Sequence, residues 1–85
     1  MFVADIRVDL KKGVADPEGA NTRKALELLG FVNVIEVKTS KTFSVLLDAP
    51  DEPSAREQVE RMCVSLLANP VINSYHYDLK PHKEA

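Results

Sequence analysis

From Phe2 to Leu10 the chain alternates without interruption: Phe2, Ala4, Ile6, Val8 and Leu10 fall on one side, and Asp5, Arg7 and Asp9 on the other. A period of two is that of an extended strand with one face covered. Such a strand is not stable alone, so the rest of the chain must supply further strands and a layer over the apolar side. With 85 residues there is room for one such unit. We place it at residues 1–79, followed by a polar tail at 80–85.

Lys11-Lys12-Gly13 ends the strand, with Gly13 suited to a turn that needs positive φ. Asp16-Pro17-Glu18 then opens a helix: Asp16 caps it, Pro17 fits its first position and Glu18 faces the positive end of its dipole. The pattern predicts a helix to about Leu29 that buries Thr22, Ala25, Leu26 and Leu29, stopped by a left-handed Gly30. Two strand-like runs follow, Asn33–Thr39 and Thr42–Leu47, with Ser40-Lys41 between them as a hairpin turn. Ser54 and Glu57 have capping-box spacing, and Ala55, Val59, Met62, Cys63, Leu66 and Leu67 make the strongest helical stripe in the chain. Arg56–Glu60 and Glu57–Arg61 are spaced as surface ion pairs. Asn69-Pro70 stops this second helix, and Val71–Leu79 reads as the last strand.

The order is βαββαβ, a ferredoxin-like α+β arrangement. It predicts a four-stranded antiparallel sheet with two helices on one face. The other face would carry Val3, Leu46, Ile72 and one side of the Val34–Val37 run. Apolar residues on an open sheet face indicate a subunit interface, most simply that of a symmetric dimer.

Eleven basic residues against thirteen acidic ones give a net charge of −2, which argues against a nucleic-acid partner held by bulk charge. No apolar run approaches the roughly 20 residues needed to cross a membrane. An early acid makes the N-terminus unlike a secretory signal, and a single cysteine excludes an internal disulfide. A cytoplasmic setting is expected.

Catalytic and metal chemistry find little to work with. Cys63 lies on the buried stripe with no local base, and a small core residue is the better reading. His76 and His82 have no second ligand at metal spacing. Lys11-Lys12-Gly13 lacks the phosphate-loop pattern, and Asp16 and Glu18 already place negative charge where a phosphate would sit. Of the aromatics Phe2, Phe43, Tyr75 and Tyr77, the two phenylalanines share the core parity of their strands, unlike the exposed stacking aromatics of RNA-recognition domains, and His76 faces away from whichever side the tyrosines take. Asp48, Asp51 and Glu52 sit at a helix start rather than in a cleft. The residues read as caps, corners and core.

Those same residues resemble a known family. Leu10-Lys11-Lys12-Gly13-Val14-Ala15-Asp16-Pro17-Glu18-Gly19, then Ala25-Leu26-Glu27-Leu28-Leu29-Gly30-Phe31, resembles the start of PurS, the small subunit of phosphoribosylformylglycinamidine synthase. Met62-Cys63 through Leu66-Leu67-Ala68-Asn69-Pro70-Val71-Ile72, then Tyr75, is similar to its later segment. Ser40-Lys41 departs from the glycine-lysine usual in the hairpin. The resemblance implies a non-catalytic subunit of a ligase that makes formylglycinamidine ribonucleotide in purine synthesis. It further implies a dimer or tetramer that bridges a glutaminase subunit (PurQ) and a synthetase subunit (PurL) and assists ammonia transfer. ATP, magnesium and glutamine would be used by the complex, with no cofactor, metal or catalytic residue in this chain, no nucleic acid and no membrane. Lys12, Gly13, Asp16, Pro17 and Gly19 would shape one corner, Asn69 and Pro70 another, and Val3, Leu46 and Ile72 the sheet-face contact. The competing expectation is a stand-alone dimeric regulatory module that binds a small metabolite, for which only the Lys11–Asp16 loop offers polar groups.

Overall fold

The alternating N-terminal strand is the centre of the sheet. In the computed structural model, which describes residues 1–83, β1 spans Phe2–Leu10, α1 Pro17–Leu28, β2 Ser40–Leu47, α2 Glu52–Met62 and β3 Asn73–Pro81. A π-helical turn, Cys63–Leu67, extends α2. The strand order is β2-β1-β3, antiparallel throughout. Ile6 stands between Phe43 and Tyr77, and Ala4 between Val45 and Leu79. α2 lies over this face, where Ala4, Ile6, Ala55, Val59 and Cys63 are fully buried. Small residues at most of these positions let helix and sheet approach closely. Burial of Ile6 and Val59 contributes about 1.5–3 kcal/mol each.

Three strands, not four, are found among the described residues. The run Asn33–Thr39 is irregular, and Ser40 and Lys41 lie inside β2, paired with Asp9 and Val8. Neither residue favours the positive φ of a two-residue hairpin turn, so the strand continues through them. The backbone of the preceding run is engaged by α1 instead: Arg23 Nε donates to the Val34 carbonyl at 3.0 Å.

The two helices also do not share one face as expected. α1 begins and ends as the sequence indicates, with Asp16 at its N-cap and Gly30 at φ +102° just beyond it. Yet Thr22, Ala25 and Leu29 are exposed, Leu26 is half-buried, and α1 makes no substantial contact with the sheet. Its only large apolar residues, Leu26 and Leu28 with Leu29 at the C-cap, are confined to the last turn. The helix meets its own return segment instead, through Arg23 Nε to the Val34 carbonyl at 3.0 Å and the Asp16 carboxylate accepting the Thr39 N–H at 2.7 Å. The chain is consequently elongated, 51 × 33 × 15 Å, with a radius of gyration of 16.8 Å. About 12 Å is usual for this length.

α2 starts earlier than Ser54. Asp51 is its N-cap and accepts the Ser54 N–H at 2.8 Å, because Pro53 is tolerated in a first turn. Arg56 pairs with Glu52 at 2.9 Å rather than with Glu60, and Glu57–Arg61 is not among the ion pairs of the described residues. At the other end the wider π turn shifts the phase of the stripe, so that Leu66 is 82% exposed while Ala68 is buried. β3 continues two residues past Leu79, through Lys80 and Pro81. Of the polar tail, Glu84 and Ala85 lie outside the described residues.

Candidate functional site

The conspicuous residues of the sequence gather at opposite ends of the sheet. At one end Lys12 and Gly13 form an exposed turn, Gly13 at φ +87°, closed by Val14 N–H to the Lys11 carbonyl at 3.1 Å. Pro17 then occupies the first turn of α1. The Asp16 carboxylate accepts the Gly19 N–H at 2.8 Å and the Thr39 N–H at 2.7 Å, with the Thr39 hydroxyl at 2.9 Å. These bonds, that from the Thr39 backbone foremost, hold its pKa below the ordinary carboxylate value. Gly19 is buried, and a Cβ there would overlap the Val37 carbonyl oxygen. Only glycine therefore allows helix and return segment to meet.

The second corner is tied to the first. The Asn69 side chain accepts the Val71 N–H at 3.0 Å, and the Asn73 side chain accepts the Asn69 N–H at 2.8 Å. Lys11 spans the two: its Nζ donates to the Pro70 carbonyl and its N–H to the Ile72 carbonyl, both at 2.8 Å. Ile72 thus precedes β3 and sits beside Lys11. Val3 and Leu46 are cross-strand neighbours toward the far end, with Leu46 55% exposed. Around them the open face carries Asp5, Arg7, Ser44, His76 and Asp78, so it is mostly polar.

A recess of about 750 Å³ lies between the first corner and the return segment, bordered by Lys12, Gly13, Asp16, Arg23, Val37 and Thr39. Two of its polar side chains already bond within the chain, Arg23 to Val34, and Asp16 to Gly19 and Thr39. A small-molecule site needs convergent groups that are still free.

A side-chain cluster that the sequence reading missed joins α2 to β3. The hydroxyls of Tyr75 and Tyr77 each donate to Glu60, at 2.7 Å. Arg56 lies 5.8 Å from the centre of the Tyr77 ring. The two donors lower the Glu60 pKa, and the same carboxylate is the main reason that Tyr75 is pushed up to about 12. The available signal was a tyrosine pair at period two, facing a helix that carries an acid on that side.

Cys63 is buried and burial pushes its thiol up, the reverse of nucleophile activation. His76 is exposed, with Nδ1 2.9 Å from the Tyr75 carbonyl, and the backbone N–H of His82 donates to the Met1 carbonyl at 2.8 Å. Among the described residues no group of three His, Cys, Asp or Glu is placed to hold a metal, and no helix is long and apolar enough to cross a membrane.

Comparison with known proteins agrees in both sequence and fold. Residues 3–81 match the family described as "PurS: Phosphoribosylformylglycinamidine (FGAM) synthase". The chain is 47% identical over 75 residues to phosphoribosylformylglycinamidine synthase subunit PurS of Methanocaldococcus jannaschii, covering 88% of this chain and 90% of that one. To the Bacillus subtilis subunit of the same name it is 31% identical over 80 residues, covering 94% of each. The crystal structure of M. jannaschii PurS superposes with a TM-score of 0.86 at 42% identity, over 98% of this chain and 100% of that one. A chain of the PurLQS structure from Thermotoga maritima gives 0.83 at 26% identity, over 93% and 96%.

Proposed function

The chain belongs to the PurS family, and from that premise we propose that it is the small, non-catalytic subunit of phosphoribosylformylglycinamidine synthase. It self-associates and bridges the glutaminase subunit PurQ and the synthetase subunit PurL in the cytoplasm. The complex converts formylglycinamide ribonucleotide to the amidine in purine biosynthesis. Glutamine, ATP and magnesium are handled by the two large subunits, and this chain assists the passage of ammonia between them. The observation that carries the reading is likeness over nearly the full length to subunits of this name, including a chain of a PurLQS structure. The engagement of the Asp16 carboxylate and the burial of Cys63 support a role in assembly.

Reconstitution tests it. Glutamine-dependent amidine formation by PurQ and PurL should require this chain, while ammonia-dependent formation by PurL alone should not. Full glutamine-dependent turnover by the two large subunits without it would overturn the reading. Calorimetry with amino acids and nucleotides should give no tight binding to the isolated chain.

A further inference from the structure

The chain as a whole is acidic, with thirteen acids against eleven bases, yet the recess between the first corner and the return segment has the opposite sign. Five basic side chains border it and three acidic ones. Each of those acids is already engaged. Asp9 accepts from Arg7 at 2.9 Å, Glu36 lies 3.7 Å from Lys38, and Asp16 accepts the Gly19 and Thr39 N–H groups. Lys11, Lys12 and Arg23 are left, and among the described residues none of them is paired with an acid.

Two of the three are held in place. Lys11 Nζ donates to the Pro70 carbonyl at 2.8 Å, and Arg23 Nε to the Val34 carbonyl at 3.0 Å. A neutral carbonyl fixes a cationic side chain without cancelling its charge, so part of the ordering that anion binding requires is complete on folding. With only its Nε engaged, Arg23 keeps both terminal nitrogens for a carboxylate held by two parallel bonds. Lys12 is exposed on the turn beside them. A free phosphate would seek the first N–H groups of α1, and the Asp16 carboxylate occupies that place. The cations are instead spread from the β1–α1 turn to the second turn of α1, which suits carboxylates set along a polypeptide. We infer that this recess docks an acidic segment of another protein, with Arg23 gripping one carboxylate and Lys11 and Lys12 facing its neighbours. Opposite charges at such a contact speed encounter and fix orientation. This deepens the reading above and rests on its bridging role, not on its self-association: the acidic segment belongs to one of the two large subunits.

The test measures binding of the full chain to PurQ and to PurL separately, by surface plasmon resonance at low and at high salt. The unaltered chain should bind one of them more weakly as salt rises. Lys12→Glu and Arg23→Glu should each weaken that binding by about tenfold or more, while Lys12→Arg should bind as the unaltered chain does. Lys24→Glu makes the same charge change on α1 away from the recess and should stay within about twofold. Circular dichroism checks folding; should Arg23→Glu fail to fold, Lys12→Glu decides alone. Undiminished binding of folded Lys12→Glu to both large subunits overturns the inference, as does an equal loss in Lys24→Glu. Two further measurements exclude other occupants. Calorimetry with pyrophosphate should show no saturable binding; binding that Lys12→Glu abolishes would give the recess to a free anion and overturn the inference. Light scattering should give Lys12→Glu the mass of the unaltered protein, and a lower mass would give the surface to a second copy, again overturning it. If the unaltered chain binds neither large subunit, the bridging role fails first and the docking inference with it.

Discussion

Asp16 and Thr39 stand 23 residues apart in the chain, yet the Thr39 N–H donates to the Asp16 carboxylate at 2.7 Å and the Thr39 hydroxyl lies within 3.0 Å of both carboxylate oxygens. The carboxylate that starts α1 is thereby the one that fixes where β2 begins. A capping acid normally serves one helix; this one also sets the path of the return segment.

Asp16→Asn should therefore lower the melting temperature by roughly 4–8 °C, and Thr39→Val should reproduce part of the loss. The pH dependence follows from the lowered Asp16 pKa. Its stabilising contribution is present in full above the ordinary value of 3.8 and is lost as pH falls through the lower folded value. Thermal melts between pH 5 and pH 2 should show a shallower acid decline in Asp16→Asn; an unchanged slope would refute the assignment.

The two glycines of the first corner separate space from conformation. Gly19→Ala places a methyl group against the Val37 carbonyl and should cost about 1–3 kcal/mol. Gly13→Ala meets nothing within 4 Å but is held at φ +87°, and should cost about 1–2 kcal/mol. Urea denaturation of both variants measures the difference, and Gly13→Asn, which tolerates positive φ, should recover part of the loss.

Glu60→Gln weakens the hydrogen bond to the carboxylate that raises Tyr75, and removes its charge. In an ultraviolet phenolate titration the Tyr75 pKa should fall from about 12 toward its ordinary 10. In the unaltered protein the stability from this raised pKa is present below 10 and is lost as pH rises toward about 12. The Glu60 contribution, from a lowered pKa, has the opposite sense: it is present above 4.5 and is lost at lower pH. The clamp should thus hold across the neutral range, and the variant's advantage or deficit should not change between pH 6 and pH 8.

Cys63 offers a direct division between structure and chemistry. Cys63→Ser buries a hydroxyl among Ala4, Val59 and their neighbours and should cost about 1–3 kcal/mol. Both Cys63→Ser and Cys63→Ala should leave the glutamine-dependent activity of the reconstituted complex unchanged per folded subunit. An abolished activity with normal folding would show that the thiol takes part.

Features set within one element were legible in the sequence. The alternation of β1, the caps at Asp16 and Gly30 and the buried position of Cys63 all follow from neighbours a few residues away. What depends on distant partners was not. A stripe on α1 shows that a face exists but not what covers it, so Leu29 was expected inside and stands exposed. Leu66 was misplaced because one π turn, which leaves no mark on the apolar pattern, rotates everything after it. Asp51 and Ser54 are both good caps, and only the tolerance of the first turn for Pro53 decides between them. The Asp16–Thr39 tie belongs to no local motif.

The 15 Å thickness of this chain has a thermodynamic side. With one thin layer of core per copy, Leu28, Leu29, Val32 and Ile35 stay exposed in the single chain, so under the proposed self-association folding and assembly draw on the same free energy. The midpoint of unfolding should then climb with protein concentration, and the denaturant slope should be steeper than for a monomer of this size. In a cell, the lifetime of this subunit becomes a function of its own abundance. A dilute copy is not merely unassembled but closer to unfolding.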